Sequence, residues 1–133
     1  MKYMLDTNIC IRLIKRKPTG LIRKLTEHDA AEFCISSITY AELMHGVEKS
    51  AYRDQNFLAL MLTLSSITIL PFDTKAAEVY GKVRSSLERN GMQIGPMDTL
   101  IASHALSRGL TVITNNTGEF KRVTGLAVED WVN

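Results

Sequence analysis

At 133 residues, with 45% hydrophobic and 23% charged side chains, the chain is long enough to bury about two-thirds of its unfolded surface around one core, and residues 1–133 are expected to form a single domain. Its only cysteines, Cys10 and Cys34, each lie in an apolar run, which argues against a disulfide framework. No stretch has signal-peptide character or approaches the ~18 apolar residues of a membrane span, so the cytoplasm is the expected compartment, with no membrane partner. The formal net charge is only +2, yet residues 1–24 hold Lys2, Arg12, Lys15, Arg16, Lys17, Arg23 and Lys24 against a single acid, Asp6. That asymmetry is open to two readings, a polyanionic partner or a plain solvated helix face.

The chain opens with Tyr3-Met4-Leu5, a short apolar strand that delivers Asp6 into a polar turn. Beyond it Ile9, Cys10, Leu13 and Ile14 recur at helical spacing, with Thr7 or Asn8 as the expected N-cap. Pro18-Thr19-Gly20 breaks the chain before a short helix carrying Leu21, Ile22 and Leu25. Phe33-Cys34-Ile35-Ser36 is a second buried strand, and Ser37 or Thr39 caps the helix through Tyr40, Leu43, Met44 and Val47. A further helix carries Phe57, Leu60, Met61 and Leu64. Ile67 to Leu70 form a third strand stopped by Pro71, and Ala76 to Leu87 mark a long helix ended by Asn90-Gly91. After the Gly95-Pro96 turn, Asp98 is expected to cap and open a helix that closes at Arg108-Gly109. Leu110 to Thr114 are the strongest strand of the chain, followed by a brief helix around Glu119-Phe120 and a last strand near Leu126-Ala127-Val128. Strands alternating with helices require crossover connections, and hence a three-layer α/β/α sandwich with a mostly parallel central sheet.

Four carboxylates stand out in that frame. Asp6 follows the first strand, Glu42 lies in the helix after the second, Asp98 heads the helix before the fourth, and Glu119 follows the fourth. Strand ends and helix starts open toward one edge of a parallel sheet, the edge where ligand sites form. A cluster of like charges either raises a pKa or recruits a cation, and hard cations such as Mg²⁺ and Mn²⁺ prefer oxygen ligands. Each acid also has a structural role open to it: a cap for Asp6 or Asp98, an exposed helix position for Glu42, a first-turn acid for Glu119. Glu42 and His45 form a Glu-x-x-His pair, but there is no second copy. His28 and His104 lack ligand spacing and are expected to be surface or hydrogen-bonded histidines.

The set Met4-Leu5-Asp6-Thr7-Asn8, Ser36-Ser37-Ile38-Thr39-Tyr40-Ala41-Glu42, Gly95-Pro96-Met97-Asp98-Thr99-Leu100-Ile101-Ala102 and Val112-Ile113-Thr114-Asn115-Asn116-Thr117-Gly118-Glu119-Phe120 resembles the PIN-domain ribonucleases, specifically the VapC toxins of toxin–antitoxin pairs. The resemblance spans essentially the whole chain, with four motifs in order at the expected element boundaries. It implies that Asp6, Glu42 and Asp98 are the core acids. In one departure, many PIN domains place an aspartate two residues after the last threonine, where this chain has Asn116, and the acid here comes later, as Glu119.

The activity so implied is cleavage of RNA, with tRNA a frequent target class, by phosphodiester hydrolysis with one or two Mg²⁺ or Mn²⁺ ions, about 3.5–4 Å apart if two. In that reading Asp6 and Asp98 hold the principal metal, Glu42 orients the attacking water or a second ion, and Asn116 and Thr7 aim the carboxylates. Arg12, Lys15, Arg16 and Lys17 would contact phosphates of the RNA. A partner, a small VapB-like antitoxin, is also implied. The helices spanning Ile9 to Leu25 and Tyr52 to Leu64 carry more apolar residues, Ile11, Leu58 and Leu62 among them, than one inward stripe holds, which suits either an antitoxin or a homodimer. Three other readings compete. A non-catalytic Mg²⁺-binding signalling domain would need a lysine near Thr114-Asn115-Asn116, where none stands, a non-catalytic binding module would use the acids as a structural cation site, and a housekeeping nuclease would lack the antitoxin.

Overall fold

The computed structural model describes residues 1–133. In chain order the elements are β1 (Tyr3–Leu5), α1 (Thr7–Lys15), α2 (Thr19–Thr26), a 3-10 turn at Ala30–Glu32, β2 (Phe33–Ser36), α3 (Ser37–Glu48), α4 (Arg53–Leu64), β3 (Thr68–Leu70), α5 (Thr74–Arg89), α6 (Pro96–Arg108), β4 (Thr111–Ile113), α7 (Thr117–Phe120) and β5 (Val128–Glu129). The five strands lie in the order β3-β2-β1-β4-β5, and every pairing is parallel.

Strand alternation sorts the core into two layers. Tyr3, Leu5, Phe33, Ile35 and Ile113 point to one face and pack with Ile9 and Cys10 of α1, Leu21 of α2, Leu43 and Val47 of α3, and Leu60 and Leu64 of α4. Met4, Cys34 and Val112 point to the other, against Val83 and Leu87 of α5, Ile101, Ala102 and Ala105 of α6, and Phe120 of α7. Near-continuous apolar strands are the signature of a sheet covered on both faces, so the expected three-layer α/β/α sandwich is the observed architecture. Both cysteines are free and buried. No helix is long and apolar enough to cross a membrane.

The strand order places a switch point at β1. From β1 the chain steps outward through β2 to β3, then crosses back to lay β4 on the other side of β1. The crevice at the carboxyl ends of β1 and β4 is where an open parallel sheet admits a ligand.

Three caps differ from expectation, two of them for the same reason. The connections at β1–α1 and β2–α3 have almost no loop, so the residue at the strand's end, Asp6 just after β1 and Ser36 as the last residue of β2, caps the helix. Asp6, not Thr7 or Asn8, accepts from the Ile9 amide, and Ser36, not Ser37 or Thr39, accepts from that of Ile38. In α6 the N-cap is Gly95 with Pro96 at the first helical position, so Asp98 sits inside the first turn and makes no cap hydrogen bond. Gly109 closes α6 at φ 66°, a left-handed conformation that glycine adopts without strain.

His104 is the hydrogen-bonded kind, through one nitrogen only: it is fully buried, with Nδ1 2.7 Å from the Ser36 hydroxyl and Nε2 without a partner. Burial lowers its pKa, which keeps the ring neutral. His28 does have a partner, Glu32 at 3.0 Å.

Candidate active site

Asp6 is the anchor of the site. Its backbone amide donates to the Ile113 carbonyl at 3.2 Å, extending the β1–β4 ladder by one residue. Its Oδ1 accepts from the Ile9 amide at 2.9 Å, and its Oδ2 accepts from the Thr114 hydroxyl. Thr114 Oγ1 in turn accepts from the Asn116 amide at 2.8 Å, so its proton is committed to Asp6. The carboxylate is therefore fixed at both oxygens, and each keeps a lone pair for a further partner.

The other acids arrive from both faces of the sheet. Glu42 comes from α3, with its Oε1 accepting from the Thr7 hydroxyl at 2.6 Å. Asp98 comes from the first turn of α6 and accepts from Asn116 Nδ2 at 3.3 Å. The same Asn116 amide donates to Glu119 Oε2, while Glu119 Oε1 accepts from the Gly95 amide at 3.1 Å. Asn116 thus bridges Asp98 and Glu119, the place where its family pattern departs. Asp6, Glu42 and Asp98 line one open groove of about 850 Å³ together with Thr7, Asn8, Ile11, His45 and Lys49.

These carboxylates feel one another. Burial first, and then the charges of Asp98 and Glu42, push the Asp6 carboxyl up to about 6, against the lowering effect of its hydrogen bonds from Thr114 and Ile9. Asp98 is raised as well, by burial and then by Glu119 and Glu42. Glu119 is lowered, chiefly by the Asn116 hydrogen bond. The side-chain ion pairs of the protein are His28–Glu32, Arg53 with Glu48 and Asp54, and Arg84–Glu88, so none of the four site acids is neutralised by a cation of the chain.

That donor set fits a hard divalent ion. It is carboxylate oxygen throughout, without an ion-pair partner, and Asp6 and Asp98 are raised by burial first and by the neighbouring acids second. No three acids, imidazoles or thiols close on one point as a ready coordination sphere. Mg²⁺ does not need one, because it takes one or two carboxylates and retains several waters. Asp6 and Asp98 are the carboxylates that would hold it.

A second groove, of about 430 Å³, adjoins the first. Asn8, Ile11, Arg12, Lys15, Lys17 and Asn115 line it, and Asn8 and Ile11 belong to both. Asn8, Ile11, Arg12 and Lys15 stand at i, i+3, i+4 and i+7 on α1, one face of the helix. Arg16 is not part of this groove. Its left-handed backbone, φ 56°, takes it out of the helical spiral, and it lines a separate apolar groove with Leu13, Ile22, Leu25 and Leu62. Ile11 likewise faces the acid site rather than an apolar surface patch, whereas Leu58 and Leu62 are exposed on α4, at 60% and 67%. Sequence reasoning assigned no role to Thr114 or Asn115. The available signal was a hydroxyl and an amide directly after the strongest strand.

Carboxylates are gathered from both layers at the switch point of an all-parallel sheet, with a cationic groove alongside. The chain belongs to the PIN domain family, whose sequence pattern matches residues 3–126, and within that family to the VapC proteins. It is 47% identical over 131 residues, 98% of each chain, to the tRNA(fMet)-specific endonuclease VapC of Shigella flexneri, and 44% identical over 132 residues, 99% of each chain, to the ribonuclease VapC2 of Haemophilus influenzae. Among solved structures, DNA-bound VapBC from Salmonella typhimurium superposes with a TM-score of 0.93 at 46% identity, covering 98% of each chain. VapBC2 from Rickettsia felis, bound to a promoter DNA fragment, superposes with a TM-score of 0.92 at 43% identity, covering 98% of this chain and 99% of that one.

Replacing Thr114 by valine or Asn116 by leucine removes a hydrogen bond that aims a carboxylate while leaving the carboxylate in place. Each change is expected to lower RNA cleavage about 10–100-fold, the usual effect of losing an outer-shell partner. Steady-state kinetics at saturating Mg²⁺ check this. A loss below threefold would mean that the acids are oriented without these residues.

Proposed function

We propose that this protein is a divalent-metal-dependent endoribonuclease acting as the toxin of a toxin–antitoxin pair. The observation that carries this reading is the group of Asp6, Glu42 and Asp98, none of them in an ion pair, lining a groove that adjoins a second groove lined by Arg12, Lys15 and Lys17. A bound Mg²⁺ or Mn²⁺ supplies Lewis-acid polarisation of a phosphoryl oxygen and a more acidic water. The chain does the rest. Asp6 and Asp98 would hold the ion, the first fixed by Thr114 and the Ile9 amide and the second by Asn116. Glu42, held by Thr7, orients the attacking water and accepts its proton. Arg12, Lys15 and Lys17 grip phosphates flanking the scissile bond.

The names of the relatives make RNA, and a tRNA first, the substrate class to test. A VapB-like partner is supported by the complexes in which the structural neighbours were solved and by the apolar groove of about 470 Å³ between α1, α2 and α4, edged by the exposed Leu62. The test is an RNase assay on the protein before and after removal of a co-purified antitoxin, with Mg²⁺ and with EDTA. Activity that appears only after removal and only with Mg²⁺ supports the reading. Equal activity in the complex favours a housekeeping nuclease, and RNA left intact throughout contradicts the enzyme.

The basic groove carries its own expectation. Converting Lys15 and Lys17 to alanine should weaken RNA binding and lower the slope of log K against log salt by about 0.7 per lysine for a single strand, whereas Arg16→Ala should leave the slope unchanged. Anisotropy titrations at several salt concentrations measure both. An unchanged slope in the lysine variants would mark them as merely solvated.

A further inference from the structure

We propose that Arg16 is the charged anchor of the apolar groove between α1, α2 and α4, and that the antitoxin segment seated there sets an Asp or Glu carboxylate against it, among apolar side chains. The inference rests on the toxin–antitoxin reading and adds to it the chemistry by which this chain recognises its partner.

Leu13 of α1, Ile22 and Leu25 of α2 and the exposed Leu62 of α4 line the groove. Open apolar grooves of this kind take amphipathic segments. Arg16 lines it too, is itself exposed, and enters none of the ion pairs of the chain. No acid lines the groove, and its other ionisable side chain, His28, is already held by Glu32 at 3.0 Å. A guanidinium among apolar groups is weakly hydrated and pairs with a carboxylate through two parallel hydrogen bonds, so a partner that covers the apolar surface gains most by bringing that group.

The backbone supplies a second, independent observation. Arg16 is the only residue other than glycine at positive φ, with φ 56° and ψ 42°. That conformation strains an arginine but is open to glycine and asparagine, and ending α1 requires a left-handed residue, not an arginine. Strain of this kind is retained where the side chain has work to do. Here the turn takes Arg16 off the α1 face that carries Arg12 and Lys15 and brings it to the apolar groove. Charge also selects the occupant. Helices α1 and α2 carry Arg12, Lys15, Arg23 and Lys24 and no acid, so a second copy meeting this face about a two-fold axis would set cations against cations. An acidic segment of a different chain meets them with the opposite sign.

The experiment uses the full-length protein and the antitoxin that co-purifies with it, separated and then recombined in binding titrations, alongside thermal melts of the protein alone. Arg16→Asn should raise Tm by about 2–4 °C, because asparagine tolerates the left-handed backbone. The same variant should weaken antitoxin binding about tenfold or more, with a smaller dependence on salt. Arg16→Glu should weaken it further. Replacing one particular acid of the antitoxin by lysine should restore binding to Arg16→Glu and weaken it for wild type. Binding undiminished in Arg16→Asn, a Tm that fails to rise in that variant, rescue of Arg16→Glu by no acid of the antitoxin, or an oligomeric state of the isolated protein that changes with Arg16→Asn overturns the assignment while leaving the toxin–antitoxin reading intact. If no antitoxin co-purifies, that reading falls, and this inference with it.

Discussion

Asp98→Asn is expected to lower RNA cleavage by about 10³-fold or more while the protein remains folded. Asp98 is in the first turn of α6 but does not cap it, because Gly95 does, so losing the charge leaves the helix start untouched. An asparagine can still accept from Asn116, which now holds Asp98 at 3.3 Å. What disappears is one of two anionic ligands, and several kcal/mol of metal-derived stabilisation of the transition state go with it, at about 1.4 kcal/mol per factor of ten. The variant should match wild type in circular dichroism and in partner binding. Near-normal turnover at saturating Mg²⁺, in protein purified free of wild type, would remove Asp98 from the site.

Asp6→Asn is expected to abolish cleavage as well, and to stabilise the fold. In the native state the Asp6 carboxyl titrates at about 6, against an ordinary value of 3.8. Below pH 3.8 the group is protonated in both folded and unfolded chains and contributes nothing. As pH rises from there, the unfolded chain releases the proton first, so stability falls until the native carboxyl ionises near pH 6 and stays reduced above it. The full penalty is up to about 3 kcal/mol, a scale appropriate to a side chain 2% exposed. Asparagine escapes it, although the Thr114 hydroxyl must turn to accept from the new amide, which offsets part of the gain. Thermal melts of both proteins from pH 4 to 8 should diverge over that window and run parallel above it. Adding Mg²⁺ should close the gap by stabilising wild type alone. A gap that does not change with pH would place the raised pKa elsewhere.

Much of this site was legible before any coordinates. The three-residue strand Tyr3–Leu5 was readable because an apolar run ends abruptly in Asp6-Thr7-Asn8, and parallel topology brings Asp6, Asp98 and Glu119 to one sheet edge, while the place of Glu42 among the core acids was implied by the family resemblance. The caps were harder. Where a strand passes into a helix with no loop, several polar residues in a row can each cap, and only geometry chooses Asp6 over Thr7 or Asn8 and Ser36 over Ser37. Pro96 reads as part of a turn, although proline is equally at home in the first helical position, and that moves Asp98 from the cap into the first turn. Arg16 departed because a left-handed residue, not a glycine, ends α1, and nothing in the local sequence announces it. Asn115 and Asn116 are chemically identical neighbours, yet Asn115 lines the basic groove while Asn116 holds Asp98, a distinction that only the direction of the chain after β4 supplies.

The central claim is that these carboxylates direct a metal-dependent attack of water on an RNA phosphodiester. It is tested most directly by cleaving RNA once in H₂¹⁸O and analysing the new ends by mass spectrometry. One solvent oxygen should appear in the product phosphate with Mg²⁺ present, with no 2′,3′-cyclic phosphate formed and no cleavage in EDTA. A 2′,3′-cyclic end, or cleavage that persists without a divalent ion, would contradict it.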